Sequence, residues 1–258
     1  MADTGGVPAI DLNADLAEGD ELTPSDLALL DVVTSASLAC GFHAGNRRVM
    51  RSAATACTAR GVVIGAHVAY RDRAGFGRRA LDTPPDELAA DVVEQWEALA
   101  EEAGAVGGTI AYVKAHGALY HRLASDPAVA AALVDALASR CPVLVVPPDS
   151  AAAAPARASG VRVVAEGFCD RGYDATGALL PRYRDGALVE DPLAAGDQAR
   201  SLAVGRGVTA VGGGWVDLEV ETLCIHGDRP GAEVVAVAVR RALEAGGVTV
   251  RPFAPARS

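Results

Sequence analysis

Four of the five histidines stand where an apolar run ends: His43 after residues 36–42, His67 after 62–66, His116 after 110–115 and His226 after 223–225. Gly45, Gly117 and Gly227 follow three of them within two residues, as expected where a chain turns out of a strand. The first apolar run ends in the same manner, in Asp11-Leu12-Asn13-Ala14-Asp15. Imidazoles and carboxylates together suit two chemistries. With a divalent metal, Asp15, His43 and His67 are the candidate ligands, leaving an open position to activate water or polarise a carbonyl. Without metal, an Asp can serve as general base and a His as acid. No HExxH-type spacing is present, so only convergence in space can build the site. A single histidine at a strand end is more often a structural, hydrogen-bonded residue, but four at four ends argue for a shared polar site.

Three clusters accompany them. Residues 70–79 form a Gly/Arg loop that ends in Arg78 and Arg79, whose guanidinium forks favour carboxylate or phosphate groups. Cys169-Asp170-Arg171-Gly172-Tyr173-Asp174 follows the sixth apolar run and offers an Asp–Arg pair for substrate or for an internal salt bridge. His226-Gly227-Asp228 precedes a helical pattern whose N-terminus can hold an anion. Lys114, the sole lysine, lies at a strand end and suits a substrate clamp. It also leaves no place for a GxxxxGK[ST] phosphate loop, because the residues before it do not fit that pattern. Cys40 and Cys224 fall inside apolar runs and are expected to be small core residues.

The elements that must position these groups are strands at 8–13, 33–40, 62–67, 109–114, 143–147, 161–167 and 220–226, several lacking two-residue alternation. Between them lie helical patterns at 48–60, 86–103, 128–140 and 232–245, with a further alanine-rich stretch at 151–156. Thr83-Pro84 and Ser125-Asp126-Pro127 look like helix starts, and Gly61, Gly104 and Gly246 like helix stops. About seven strand–helix repeats imply a parallel sheet, closed as a TIM-like barrel or open and doubly wound. In either form the carboxyl ends of the strands share one rim, where Asn13, Asp15 and the histidines would meet. No linker divides residues 1–258, so a single domain is expected.

Composition narrows the function. Half of the 258 residues are hydrophobic, and the formal net charge is −10, which argues against nucleic acid or an anionic membrane as partner. Five scattered cysteines without a CxxC pair exclude a disulfide framework and a Cys-rich zinc site. Residues 1–7 carry no basic, then apolar, secretion signal, and no apolar run is long enough to span a bilayer, so a cytoplasmic protein is expected.

Six stretches, DLNADLAEGD (11–20), TSASLACGFHAG (34–45), GAHVAYRDRAGFGRR (65–79), VKAHGALY (113–120), CDRGYD (169–174) and CIHGDRPGA (224–232), resemble the LamB/YcsF family, the A subunit of ATP-dependent 5-oxoprolinase. The resemblance runs in family order over nearly the whole chain. It implies a (β/α)7 barrel akin to polysaccharide deacetylases. It also implies opening of the lactam of 5-oxo-L-proline to L-glutamate with ATP hydrolysis, alongside B and C subunits, with the number of copies of this chain left open. On that basis the partners phosphorylate the substrate and this barrel carries the hydrolytic half. Asp15, His43 and His67 would position or activate water, His116 and Lys114 contact the activated carbonyl or phosphate, and Arg78 or Arg79 hold the substrate carboxylate. Asn13, Asp170, Arg171, His226 and Asp228 complete the expected substrate site.

The chain departs from the family at several of these positions. Ala17 stands for the usual Gly, Ser37 for Asn, and Asn46-Arg47 for Asp-Pro. Val68, Ala69 and Arg71 stand for Pro, Ser and Pro, Ala115 for Pro, and His121 for Asn. A neutral amide in place of an acid at Asn46 can remove a base or a ligand. Two other functions therefore stand beside the first: a stand-alone metal-dependent amidohydrolase or deacetylase, and a non-catalytic ligand-binding barrel.

Overall fold

A computed structural model of the protein describes residues 8–141 and 143–254; the segment 1–7, expected to lack a secretion signal, lies outside them. The strands are β1 (Ala9–Leu16), β2 (Ser35–Ala39), β3 (Val63–Val68), β4 (Ile110–Ala115), β5 (Val143–Val146), β6 (Arg162–Phe168), β7 (Gly207–Thr209), β8 (Trp215–Asp217), β9 (Thr222–His226) and β10 (Thr249–Val250). β1 to β6 and then β9 pair in parallel, and β9 pairs back onto β1. That closure makes a seven-stranded barrel and excludes the open, doubly wound sheet. β10 adds in parallel to the start of β1, and β7–β8 form a separate antiparallel pair.

The barrel strands alternate after all, between two buried faces. Leu12, Ala14 and Leu16 of β1, with Leu38, Ile64, Val113, Leu144, Leu223 and Ile225, belong to the main apolar core, on the side packed by the helices. Burying each of these larger side chains contributes about 2 kcal/mol. The intervening residues face inward: Asp11, Asn13 and Asp15 on β1, His67 on β3, Lys114 on β4, Glu166 on β6, Cys224 on β9. Closure buries them as deeply as the apolar set.

The helices are α1 (Pro24–Leu30), α2 (Arg47–Arg60), α3 (Pro85–Gly104), α4 (Gly117–Ser125), α5 (Pro127–Ala138), α6 (Ala153–Ala158), α7 (Pro192–Arg200) and α8 (Ala232–Ala245), with a π turn at Ser201–Gly205. Asp126 caps α5 as expected, accepting from the Ala128 and Val129 amides, and Gly61 closes α2 in the left-handed conformation at φ 67°. Thr83 is not a cap. Pro84 occupies that position without a side-chain bond, and the Thr83 carbonyl accepts from Arg122 instead. α1 and α7 begin with Thr23-Pro24 and Asp191-Pro192, the same cap-and-proline signal found elsewhere in the chain. No helix among the described residues is long and apolar enough to cross a membrane.

The amino-terminal end of the barrel is filled. The Tyr112 ring covers Gly65 so closely that a Cβ there would lie 2.2 Å from it, and the Tyr112 hydroxyl meets Ser37 Oγ at 3.1 Å. Phe253 packs edge-on to Tyr112, with ring centroids 5.2 Å apart. Around them Val63, Val143, Val145 and Val164 form a second apolar cluster. Above this floor Asp11 accepts from the hydroxyls of Thr34, Ser35 and Thr222; burial pushes its carboxyl up to about 6 against those bonds.

Candidate active site

At the carboxyl end of β1, β2, β3 and β4 the expected convergence occurs. Glu18, His43, His67 and His116 each offer one atom, and the four atoms lie within 4.8 Å of one another. His116 Nδ1 is 3.0 Å from His67 Nε2, and Glu18 Oε1 is 3.3 Å from His43 Nε2. The rings of His43 and His116 stack with centroids 4.1 Å apart. All three imidazoles are buried. Burial first, and then His67, lowers the pKa of His43 well below the usual value and lowers that of His116 as well, so both rings are neutral at pH 7. His116 donates Nε2–H to the Phe76 carbonyl at 2.9 Å, which turns its Nδ1 lone pair toward the cluster. The Nδ1 atoms of His43 and His67 are buried without a partner, so both rings act through Nε2 alone.

Glu18 is one of two residues that sequence reasoning missed, although it follows β1 within the same DLNADLAEGD stretch. Burial raises its carboxyl to about 7; Asp15 and Asp228 add to that and His67 opposes it. Asp15, expected among the ligands, lies beside the group with Oδ2 3.4 Å from His67 Nε2. Its other oxygen is committed to Lys114 at 2.8 Å.

Lys114 is the centre of a second buried network. Its Nζ donates to Asp15 Oδ1 (2.8 Å), Cys224 Sγ (3.0 Å) and Asn13 Oδ1 (3.3 Å), and it forms an ion pair with Glu166 Oε1 at 2.7 Å. Asn13 donates in turn to Glu166 at 3.0 Å and Thr222 at 2.7 Å. Burial opposes the ammonium charge, yet Asp15 and Glu166 hold its pKa well above the ordinary value. Burial likewise opposes ionisation of Asp15, but His67 and Lys114 carry its pKa well down. The pair is therefore ionised at neutral pH, which makes Lys114 a fixed cation. Cys224 belongs to the buried core as expected, with its Sγ turned to Lys114 inside the barrel, and no disulfide is present among the described residues. Glu166, also missed, had a signal: an acid inside an apolar strand run must find a cation or a proton when buried.

Of the rest of the expected set, Arg78, Arg171 and His226 line a cavity of about 740 Å³ above Asp15 and Lys114, whereas Asn13, Arg79, Asp170 and Asp228 do not. His226 Nδ1 bonds Asp170 at 3.0 Å and its ring stacks on Phe168. Arg78 lines the cavity and pairs with Asp228; Arg79 does not line it and is held by Asp72. Arg171 also lines it, bonded to the Leu180 and Ala187 carbonyls rather than in an Asp170 salt bridge. His121 is on the wall.

Three departures from the family pattern acquire physical explanations. Asn46 caps α2, accepting from the Val49 amide at 3.0 Å, a task that an Asp performs equally, and it does not line the cavity. Ser37 meets Tyr112 below the site. Ala17 holds φ 61°, a conformation that favours the glycine usual there.

A sequence model of the LamB/YcsF family matches residues 10–258. A curated relative from Streptomyces griseus, named as the A subunit of 5-oxoprolinase, is 48% identical over 95% of this chain and 100% of its own. The lactam utilization protein of Thermus thermophilus superposes with a TM-score of 0.88 at 40% identity, covering 95% of this chain and 100% of that one. At the level of fold alone, the polysaccharide deacetylase Bc1974 of Bacillus cereus aligns with a TM-score of 0.51 and 13% identity over 96% of this chain and 92% of its own.

Proposed function

The chain belongs to the LamB/YcsF family, and we propose that it is the A subunit of an ATP-dependent 5-oxoprolinase, opening the lactam of 5-oxo-L-proline to L-glutamate. The observation that carries this reading is the convergence of Glu18 and three imidazoles beside the fixed Lys114 cation at the floor of one cavity. Lactam opening needs both functions. Water must be oriented and deprotonated at the ring carbonyl carbon, and negative charge developing on the carbonyl oxygen must be met by a preorganised cation.

Asp15 is ionised and holds Lys114 in place, so Lys114 faces the carbonyl oxygen as a charge rather than acting as a base. Arg78, at the rim, takes the substrate carboxylate. Glu18, His43, His67 and His116 fit a divalent cation: the donors converge, and the Phe76 carbonyl fixes the His116 tautomer. Such an ion, when bound, supplies Lewis-acid polarisation and a more acidic water. A five-membered lactam is an unstrained, resonance-stabilised amide, and activation by ATP lowers the barrier to its opening. The sequence holds no phosphate loop, so activation falls to B and C subunits in a cytoplasmic complex, and this single-domain barrel performs the hydrolytic half.

Glutamate and phosphate release should be followed with purified chain, 5-oxoproline and ATP, with and without the partner subunits. Turnover is expected only in the complex; complete turnover by the lone chain rejects the division of labour. The cluster of donors also favours a second reading, a stand-alone metal-dependent amidohydrolase. The same assay identifies it by hydrolysis that is ATP-independent and chelator-sensitive.

A further inference from the structure

The cavity is lined by five cationic side chains, Arg78, Lys114, Arg122, Arg171 and Arg182, and one carboxylate, Asp15, in a chain whose formal net charge is −10. Two of the five are answered within the protein. Lys114 has Asp15 and Glu166; Arg122 has Asp126 and the carbonyls of Leu81 and Thr83. Arg78 and Arg182 share one carboxylate oxygen, Asp228 Oδ2.

Arg171 has no carboxylate at ion-pairing distance among the described residues. Its Nε and Nη2 donate to the neutral carbonyls of Ala187 and Leu180. The neighbouring Asp170 directs both its oxygens to His226. Yet Arg171 is only 6% exposed. A guanidinium withdrawn from water without a counter-charge is costly, and its pKa is accordingly lowered, by burial first and then by Arg182. Three guanidiniums thus line the cavity with a single carboxylate, Asp228, answering two of them. The first turn of α4 meets the same cavity at Gly117 and Ala118; the Ala118 amide is held by the Gly77 carbonyl at 3.0 Å, so the helix adds the positive end of its dipole and not that amide.

We propose that Arg171 and Arg182, with the start of α4, form a phosphoryl-binding subsite next to the carboxylate position at Arg78, so that the cavity takes a ligand bearing both anionic groups. This rests on the function proposed above: a lactam activated by ATP carries a phosphoryl group and a carboxylate, whereas 5-oxoproline itself carries one anion and leaves the surplus positive charge unmet. Guanidinium forks match the phosphoryl oxygens in geometry as well as charge.

Isothermal titration of the purified full chain with inorganic phosphate, with and without saturating 5-oxoproline, reads the subsite. Phosphate is expected to bind saturably, with its Kd changed less than threefold by 5-oxoproline. Arg171→Gln and Arg182→Gln should each weaken phosphate at least tenfold. Arg171→Gln also removes bonds that tether the loop over 172–189, so Arg182→Gln decides alone if the first variant does not fold. Absence of saturable binding, mutual exclusion of the two anions, or less than a tenfold loss in Arg182→Gln overturns the proposal. So does ATP binding through the same arginines more than tenfold tighter than phosphate, which would make this a nucleotide site. Glutamate formation by the reconstituted complex is scored separately: turnover without phosphate binding removes the subsite and leaves the proposed function standing.

Discussion

His116 Nδ1 lies 3.0 Å from His67 Nε2 because the Phe76 carbonyl, 2.9 Å from His116 Nε2, holds the other side of the ring. One loop carbonyl therefore decides which nitrogen reaches the centre. Titration with zinc or manganese should show one divalent ion per chain. Glu18→Gln and His116→Ala should each weaken it about 100-fold or more, beyond the effect typical of an outer hydrogen-bond partner. Wild-type affinity in both variants would remove the metal from the site.

Lys114→Met leaves the Asp15 and Glu166 carboxylates buried without their cation. A stability loss of about 3–5 kcal/mol is expected from urea unfolding. Adding Glu166→Gln should restore part of it. Turnover of the folded fraction should fall about 100-fold or more through the lost carbonyl stabilisation; unchanged kcat excludes that role.

Arg78→Gln and Arg79→Gln separate two neighbours in sequence. The first faces the cavity and should raise KM for 5-oxoproline about 10-fold or more, with kcat nearly unchanged. The second is occupied with Asp72 and should leave KM within about twofold. Reversed effects would move the carboxylate to Arg79.

Burial raises the Asp11 carboxyl from 3.8 to about 6. The folded state thus favours the protonated form, and the stability it gains is fully present below pH 3.8 and lost as pH rises through about 6. Relative to the non-titrating Asp11→Asn variant, the wild type should lose about 2–3 kcal/mol between pH 4 and pH 7. Parallel urea curves at the two pH values detect this; a difference independent of pH contradicts it.

Gly77 adopts φ 66°, and a Cβ there would lie 2.9 Å from His43 Cβ and 3.0 Å from His116 Cδ2. Gly77→Ala should cost about 1–2 kcal/mol in backbone conformation. It should also spread the two stacked rings, so metal affinity should fall by about tenfold or more even though no ligand is changed. Unaltered metal binding in the folded variant would show that the rings tolerate the wedge.

The barrel and its polar mouth were legible because strand ends in parallel folds share one rim, and His43, His67, His116 and His226 each mark such an end. Glu18 was less visible because it lies beyond the strand, where its left-handed neighbour Ala17 turns the chain back over the site. Pairing across the barrel could not be read at all. Asn13 and Glu166 are 153 positions apart in sequence, and only closure of the ring brings their side chains together. The same holds for Arg79, whose type fits a carboxylate clamp but whose turn delivers it to Asp72. The thiol of Cys224 fits a core pattern equally well inward or outward, and β9 register alone aims it at Lys114.

Tyr112 and Phe253 stop the barrel at its lower end. A molecule that enters past Arg78 therefore does not leave along the barrel axis below, and both delivery of substrate and departure of glutamate take place at the carboxyl end of the strands. Under the proposed division of labour, a partner subunit that delivers an activated substrate at that rim has to withdraw, or open a gap, once per cycle. The tempo of the assembly would then be set by docking and undocking at the rim as much as by bond breaking inside.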